Sequence, residues 1–169
     1  MKIFYVIITA LFFAAAIVSN TGCKRGTIIE IDTITNTKPT GGNSEISWKK
    51  NGVSEKAALV TTVYDTNSNV IQIAGIFGEP ADGAVSITLN APQVADFNIE
   101  PGVIFSYNTS TTDANQQYLG ETGTVKVTSL TADRIEGTFE AQCKSINGTG
   151  TVTITEGKFS CKIVPLTAP

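Results

Sequence analysis

The chain has no histidine, one tryptophan, one methionine and three cysteines among its 169 residues. Without histidine, an ordinary Ser-His or Cys-His nucleophile cannot be assembled, and a His-ligated zinc site is excluded. Two of the cysteines, Cys143 and Cys161, are too few thiolates for a zinc site by themselves. Lys and Arg total 12 and form no stripe interleaved with aromatics, so nucleic-acid binding has no footprint. No glycine-rich phosphate loop is present, because nearly every glycine falls at a turn or inside a strand pattern. The longest uncharged apolar run, residues 3–18, is 16 residues long, short of the roughly 20 that a spanning helix needs.

That run is the most informative feature present. It follows Lys2 and ends in Ser19-Asn20-Thr21-Gly22-Cys23, the layout of a signal peptide whose cleavage exposes a cysteine. A small residue before Cys23 and an uncharged stretch ahead of it are what a lipoprotein signal peptidase needs. An ordinary signal peptide is the plainer alternative, but Ala14-Ala15-Ala16 lie inside the run, too early for that cut. The segment resembles the lipobox of bacterial lipoproteins, and departs from it at Asn20, where an aliphatic residue is usual. The resemblance implies lipid attachment at Cys23, with residues 1–22 as signal peptide. Each buried methylene contributes ~0.8 kcal/mol, so two or three acyl chains give stable anchoring.

Removing residues 1–22 leaves 147 residues, a length that suits one domain. It leaves 11 basic residues (12 less Lys2) against 15 acidic ones, a net charge of −4. Thr, Ser, Val, Ile and Gly dominate, which is β-type usage with turn residues between. Residues 23–43 show no hydrophobic period and are rich in Thr, Gly and Lys, a lipidated flexible tether. At ~3.3 Å per residue this segment reaches about 65 Å when extended. Lys24-Arg25 after the cysteine, in place of an acidic run, favours a periplasm-facing position on the outer membrane. Asp32-Thr33-Ile34 resembles a bacterial O-glycosylation signal, which makes Thr33 a candidate modification site. An unmodified linker threonine is the plainer reading.

From Ser44 onward the signal is alternation, and residues 44–169 are expected to form one β domain. Ile46 and Trp48 share a face, and Asn51-Gly52 makes a tight hairpin turn. Ala57–Tyr64 is the next strand. Ile71, Ile73 and Phe77 follow, then Val85, Ile87 and Leu89, each set on one face. Residues 91–102 are irregular, with Pro92 and Pro101 as breakers and a short helical turn around Val94–Phe97. Val103, Phe105 and Tyr107 make a strand, 110–114 a loop, and Gln116–Leu119 another strand. Val125 and Val127 share a face within 123–131. Ile135, Gly137, Phe139, Ala141 and Cys143 share the next, and Asn147-Gly148-Thr149-Gly150 turns the chain. Val152 and Ile154 point inward, Glu156-Gly157 shifts the parity through a bulge, and Phe159, Cys161 and Ile163 resume it. Gly137 and Gly157 make room for neighbouring rings, with Phe139 and Phe159 as core anchors.

About 8–10 short strands at this spacing mean an antiparallel β-sandwich or flattened meander barrel. A closed calycin-like barrel is the alternative, with Ala58, Ala74, Gly75 and Ala141 as the small positions that would leave room for a hydrophobic ligand. Trp48, Tyr64, Tyr107 and Tyr118 are the aromatics that could form a sugar platform.

Asp65-x-Asn67-x-Asn69 copies half of a calcium loop. Its sixth position is Val70 and its twelfth Ile76, where Gly and Glu are needed, so it reads as a polar turn. Glu79 with Asp82, and Asp133 with Glu136, are close enough in sequence to form acid–base pairs, but solvated turn charges fit better. Cys143 and Cys161 share inward parity and read as a disulfide or as two buried thiols, the exported address favouring the bridge. A simple hairpin about Gly148 would instead set Cys143 beside Val152.

The strings Gly123-Thr-Val-Lys-Val-Thr, Ile135-Glu-Gly-Thr-Phe139 and Val152-Thr-Ile-Thr-Glu-Gly-Lys-Phe159 resemble an all-β lipoprotein family of Bacteroidetes, as does Ile46-Ser-Trp48-Lys-Lys-Asn-Gly52. The likeness covers residues 45–164. It implies the fold and the envelope location, and supplies no catalytic residue or cofactor. The expectation is a non-enzymatic lipoprotein that acts by binding or surface contact. A carrier of a small hydrophobic ligand and a carbohydrate-binding module are the alternatives.

Overall fold

The computed structural model describes residues 43–79, 82–110 and 112–166. The expected signal peptide, Cys23, Thr33 and the expected tether as far as residue 42 lie outside the described residues. The described chain is all-β, one sheet curled into an open half-barrel around a hydrophobic core.

The sheet begins with β1 (Glu45–Lys50) and β2 (Val53–Lys56), joined by Asn51-Gly52. Both turn residues have positive φ, 48° and 84°, which a two-residue hairpin turn of this hand requires. β3 (Leu59–Asp65), β4 (Val70–Phe77) and β5 (Gly83–Asn90) follow as a meander. Next come β6 (Asp96–Asn98), β7 (Val103–Asn108), β8 (Gln117–Leu130), β9 (Arg134–Ser145) and β10 (Thr151–Lys162). β11 (Val164–Leu166) ends the sheet. The order across it is β11-β3-β4-β5-β7-β8-β9-β10-β1-β2, and β6 also pairs with β8. All pairings between strands are antiparallel except that of β11 with β3. The curl brings β3 against β10 and β1.

Eleven strands replace the eight to ten short ones expected, and β8–β10 run to 14, 12 and 12 residues. Residues 116–119 and 123–131, read as two strands, are one, because bulges at Gly120/Thr122 and Val127/Ser129 keep β8 on its partner β9. The helical turn expected at 94–97 is instead β6. Its backbone is held by the ladder to β8, which Val127 N–H to Ala95 O (2.9 Å) and Ile99 N–H to Gly123 O (3.0 Å) extend. β2 escaped notice because it is an edge strand, mostly exposed, and shows no alternation.

The inward faces agree with the sequence reading. Ile46, Trp48, Ile71, Ile73, Val85, Ile87, Leu89, Phe105, Tyr107, Phe139 and Phe159 are all buried. A repeated device packs the rings. Phe139 lies opposite Gly157 and Phe159 opposite Gly137 across β9 and β10, and Phe77 lies opposite Gly83 across β4 and β5. A Cβ on Gly157 would come within 2.5 Å of Phe139 Cδ2, and one on Gly137 within 2.5 Å of Phe159 Cζ. Each ring fills the space that a missing side chain leaves. The bulge expected at Glu156-Gly157 is present as a register shift between Ile154 and Gly157, with Glu156 at φ 52°.

Candidate functional site

Two polar arrangements stand out, one inside the curl and one outside it.

Inside, Trp48, Phe77 and Tyr107 form an aromatic cluster. Trp48 meets Phe77 edge-on at 5.0 Å between ring centres, and Phe77 stacks on Tyr107 at 5.3 Å. Glu55 caps it. One oxygen of its carboxylate accepts the Trp48 Nε1–H at 2.8 Å and the Tyr107 hydroxyl at 2.7 Å. The Lys50 ammonium lies 3.9 Å from the other oxygen and 5.7 Å from the centre of the Tyr107 ring. Burial, with the bond to Glu55 and its charge, raises the Tyr107 phenol well above its ordinary pKa. Glu55 was missed in the sequence, although a signal was there. A two-residue turn at Asn51-Gly52 pairs Lys50 with Val53, hence Trp48 with Glu55, and directly paired residues share a face.

Outside, a groove of about 320 Å³ crosses β6, β8, β9 and β10. Asp96, Lys126, Glu140, Glu156 and Lys158 line it with Thr124 and Thr138. Register explains the set. Lys126, Thr138 and Lys158 form one row across β8–β10, with Asp96 opposite Lys126 on β6, and Thr124 and Glu140 form the next row. The bulge turns Glu156 outward, where its carboxylate meets Lys49 Nζ at 2.7 Å. Lys126 pairs with Asp96 at 3.3 Å. The groove therefore offers charges of both signs beside threonine hydroxyls. The sequence reading did not group these residues as a site, because only register brings them together.

The remaining carboxylates are tied locally. Asp65 caps its turn through Asn67 N–H at 3.0 Å and Ser68 Oγ at 2.6 Å, bonds that hold its carboxyl below the usual range, led by Ser68. Val70 and Ile76, where a calcium loop needs Gly and Glu, lie in β4. Asp113 caps a single 3-10 turn at Ala114–Gln116, and Asn115 N–H leads in lowering its pKa. Asp133 accepts from Thr131 Oγ1 at 2.8 Å. Glu136 is held low first by Arg134, at 3.0 Å, and then by Ser160. Among the described residues, no group of three or more His, Cys, Asp or Glu side chains comes together as a metal site.

The expected Cys143–Cys161 bridge is not formed: both are free and buried. Cys143 lies opposite Val152, as the simple hairpin implies, and Cys161 opposite Ile135, at the other end of the same strand pair. The eight positions from Ile135 to Cys143 amount to about 26 Å along β9, against the ~7 Å that a disulfide can span. Shared parity was correct, but the one-residue bulge is far too small a shift to bring the pair together. Burial pushes the Cys143 thiol up to about 12 and also raises Cys161. Cys161 Sγ lies 3.8 Å from Glu45 O and faces the buried Thr62 hydroxyl across the approach of β3 to β10.

Of the residues considered for ligand binding, Gly75 and Ala141 lie on the inner face as expected, and the others do not meet their expected roles. Trp48 and Tyr107 are buried in the core, and Tyr64 and Tyr118 are half-buried against it. Ala58 is exposed, and Ala74 sits on the outer face of β4. Ile46, Val85 and Ala57 crowd the space over Gly75. Compared with protein-family models, with curated proteins and with solved structures, the chain matches none.

Proposed function

We propose that the protein is a non-enzymatic lipoprotein of the cell envelope. A lipid anchor on Cys23 and a tether hold one β domain that acts by binding. The observation that carries the binding role is the outer groove, where Asp96, Glu140 and Glu156 stand beside Lys126 and Lys158 along with the hydroxyls of Thr124 and Thr138. Its volume is at the lower end of small-molecule sites. Charges of both signs with hydroxyls between them suit a ligand that bears amine and carboxylate groups. We read the curled sheet as a flattened barrel, supported by the approach of β3 to β10 and β1. The carrier reading is disfavoured by the rings of Phe105, Tyr107, Phe139 and Phe159, which occupy the interior at 5.3–6.5 Å from neighbouring rings.

The test is an amide chemical-shift titration with zwitterionic cell-wall peptide–glycan fragments and with neutral oligosaccharides. Zwitterionic fragments should shift amides around Thr124, Thr138 and Lys158, and Lys126→Glu with Lys158→Glu should abolish the shifts. No response in the groove refutes this role. A response to neutral sugars near Tyr64 or Tyr118 would favour the carbohydrate-binding reading. Anchoring is tested separately: Cys23→Ala should abolish palmitate incorporation.

A further inference from the structure

Ion pairing sorts the charges that line the outer groove. Asp96 holds Lys126 at 3.3 Å, and Lys49 holds Glu156 at 2.7 Å. Lys158 and Glu140 are left over: both are exposed, and neither belongs to an ion pair among the described residues. Register fixes their separation. Lys158 on β10 lies directly opposite Thr138 on β9, and Glu140 stands two residues further along β9 on the same outward face. Diagonal neighbours of this kind are about 7–8 Å apart. Thr138, which also lines the groove, adjoins both. The wall beside them is strained. Glu156 has no ladder partner on β1 or on β9, because the register shifts of both pairings fall at it. Its φ of 52° lies in the left-handed region that glycine alone adopts freely. Such outliers persist where the surrounding structure holds them, and they gather at binding sites. Here the outlier hands the Glu156 carboxylate to Lys49, and Lys158 is left without an acid.

We propose that the groove takes a short peptide with both ends free, in one orientation, its carboxylate on Lys158 and its ammonium on Glu140. The inference rests on the groove reading and deepens it by giving the ligand a length and a direction. Lys158 and Glu140 can each accept a counter-charge without giving up a partner, whereas Lys126 and Glu156 must first break an existing pair. The spacing sets the length. Two or three extended residues span about 7–10 Å, which matches the gap between the two free charges. The charges of a single amino acid stand about 2.5 Å apart, too close to meet both residues. The hydroxyls of Thr138 and Thr124 both donate and accept, which suits the N–H and C=O groups of the peptide units between the ends. Lys158 and Glu140 are exposed, so each contact is screened by solvent and modest in strength.

The experiment titrates the full-length chain with triglycine, N-acetyl-triglycine, triglycine amide and glycine, and reads Kd from the amide shifts of Thr124, Thr138 and Lys158. Triglycine should bind most tightly, and blocking either end should weaken it by about fourfold. Lys158→Gln should weaken triglycine and N-acetyl-triglycine by about fourfold and leave triglycine amide, which has no carboxylate, unaffected. Glu140→Gln should weaken triglycine and triglycine amide by about fourfold and leave N-acetyl-triglycine, which has no ammonium, unaffected. Glycine should leave the groove amides unmoved. Both substitutions are at exposed positions, and Trp48 emission checks that each variant is folded. Equal weakening of all three peptides by both variants overturns this inference, as do groove shifts with glycine that match those with triglycine. No response to triglycine, while the peptide–glycan fragments shift the same amides, overturns this inference alone. No response to either overturns the groove reading and this inference with it.

Discussion

Replacing Glu55 by alanine tests how the inside of the curl is held together. One carboxylate oxygen accepts both the Trp48 and Tyr107 donors, at 2.8 and 2.7 Å. Both donor residues are buried, and the Glu55 side chain retains 22% exposure. Each buried donor left without a partner costs about 1–3 kcal/mol. The two share one acceptor, so their losses are not additive, and water admitted at the partly exposed site recovers a fraction. The expected loss for Glu55→Ala is about 2–3 kcal/mol, or very roughly 6–12 °C in Tm for a domain of this size. Glu55→Gln keeps a carbonyl oxygen facing both donors and should lose about half as much, since bonds to a charged acceptor are roughly twice as strong as neutral ones. Lys50→Ala removes a distant, partly exposed partner and should cost under about 1 kcal/mol. Urea unfolding followed by fluorescence reads the site directly, because Trp48 is the single tryptophan. Its emission should shift to the red in the native state of Glu55→Ala. Stability within about 0.5 kcal/mol of wild type, or equal losses for Ala and Gln, would show that the carboxylate does not hold the cluster.

Gly157→Ala should destabilise by about 1–3 kcal/mol through overpacking, since its Cβ would stand 2.5 Å from Phe139 Cδ2. Thermal melts of Gly157→Ala alone and with Phe139→Leu check this, and the second change should restore part of the loss. The free thiols give two expectations. Reductant should leave Tm unchanged, and thiol counting on the domain should find both Cys143 and Cys161 only after denaturation. The folded pKa of Cys143 is raised to about 12 from an ordinary 9.0, so its contribution to stability is full below pH 9 and is lost as pH rises towards 12. Cys143→Ala should therefore flatten the alkaline limb of a stability–pH curve between those values.

Much of the β domain was legible in the residue order. Period-two alternation sorted the side chains of β1, β4, β5 and β7–β10 into inner and outer sets, because each strand half-buries one face wherever it lies in the sheet. The Asn51-Gly52 turn, the Glu156-Gly157 bulge and the rings set against Gly137 and Gly157 are local features, readable for the same reason. Edge segments were not legible. β2, β6 and β11 are short and mostly exposed, and what makes them strands is a neighbour's ladder. Neighbours far apart in the chain were also hidden. Alternation states which way a residue points and never which strand lies beside it, so Cys143 and Cys161 could share a face and still sit at opposite ends of one strand pair. Tertiary pairing alone joined the rows of β8, β9 and β10 into a charged groove. The sequence by itself determined which residues are buried, because burial follows from parity within a strand. Only the sheet decided which exposed residues act together, because that depends on register between strands.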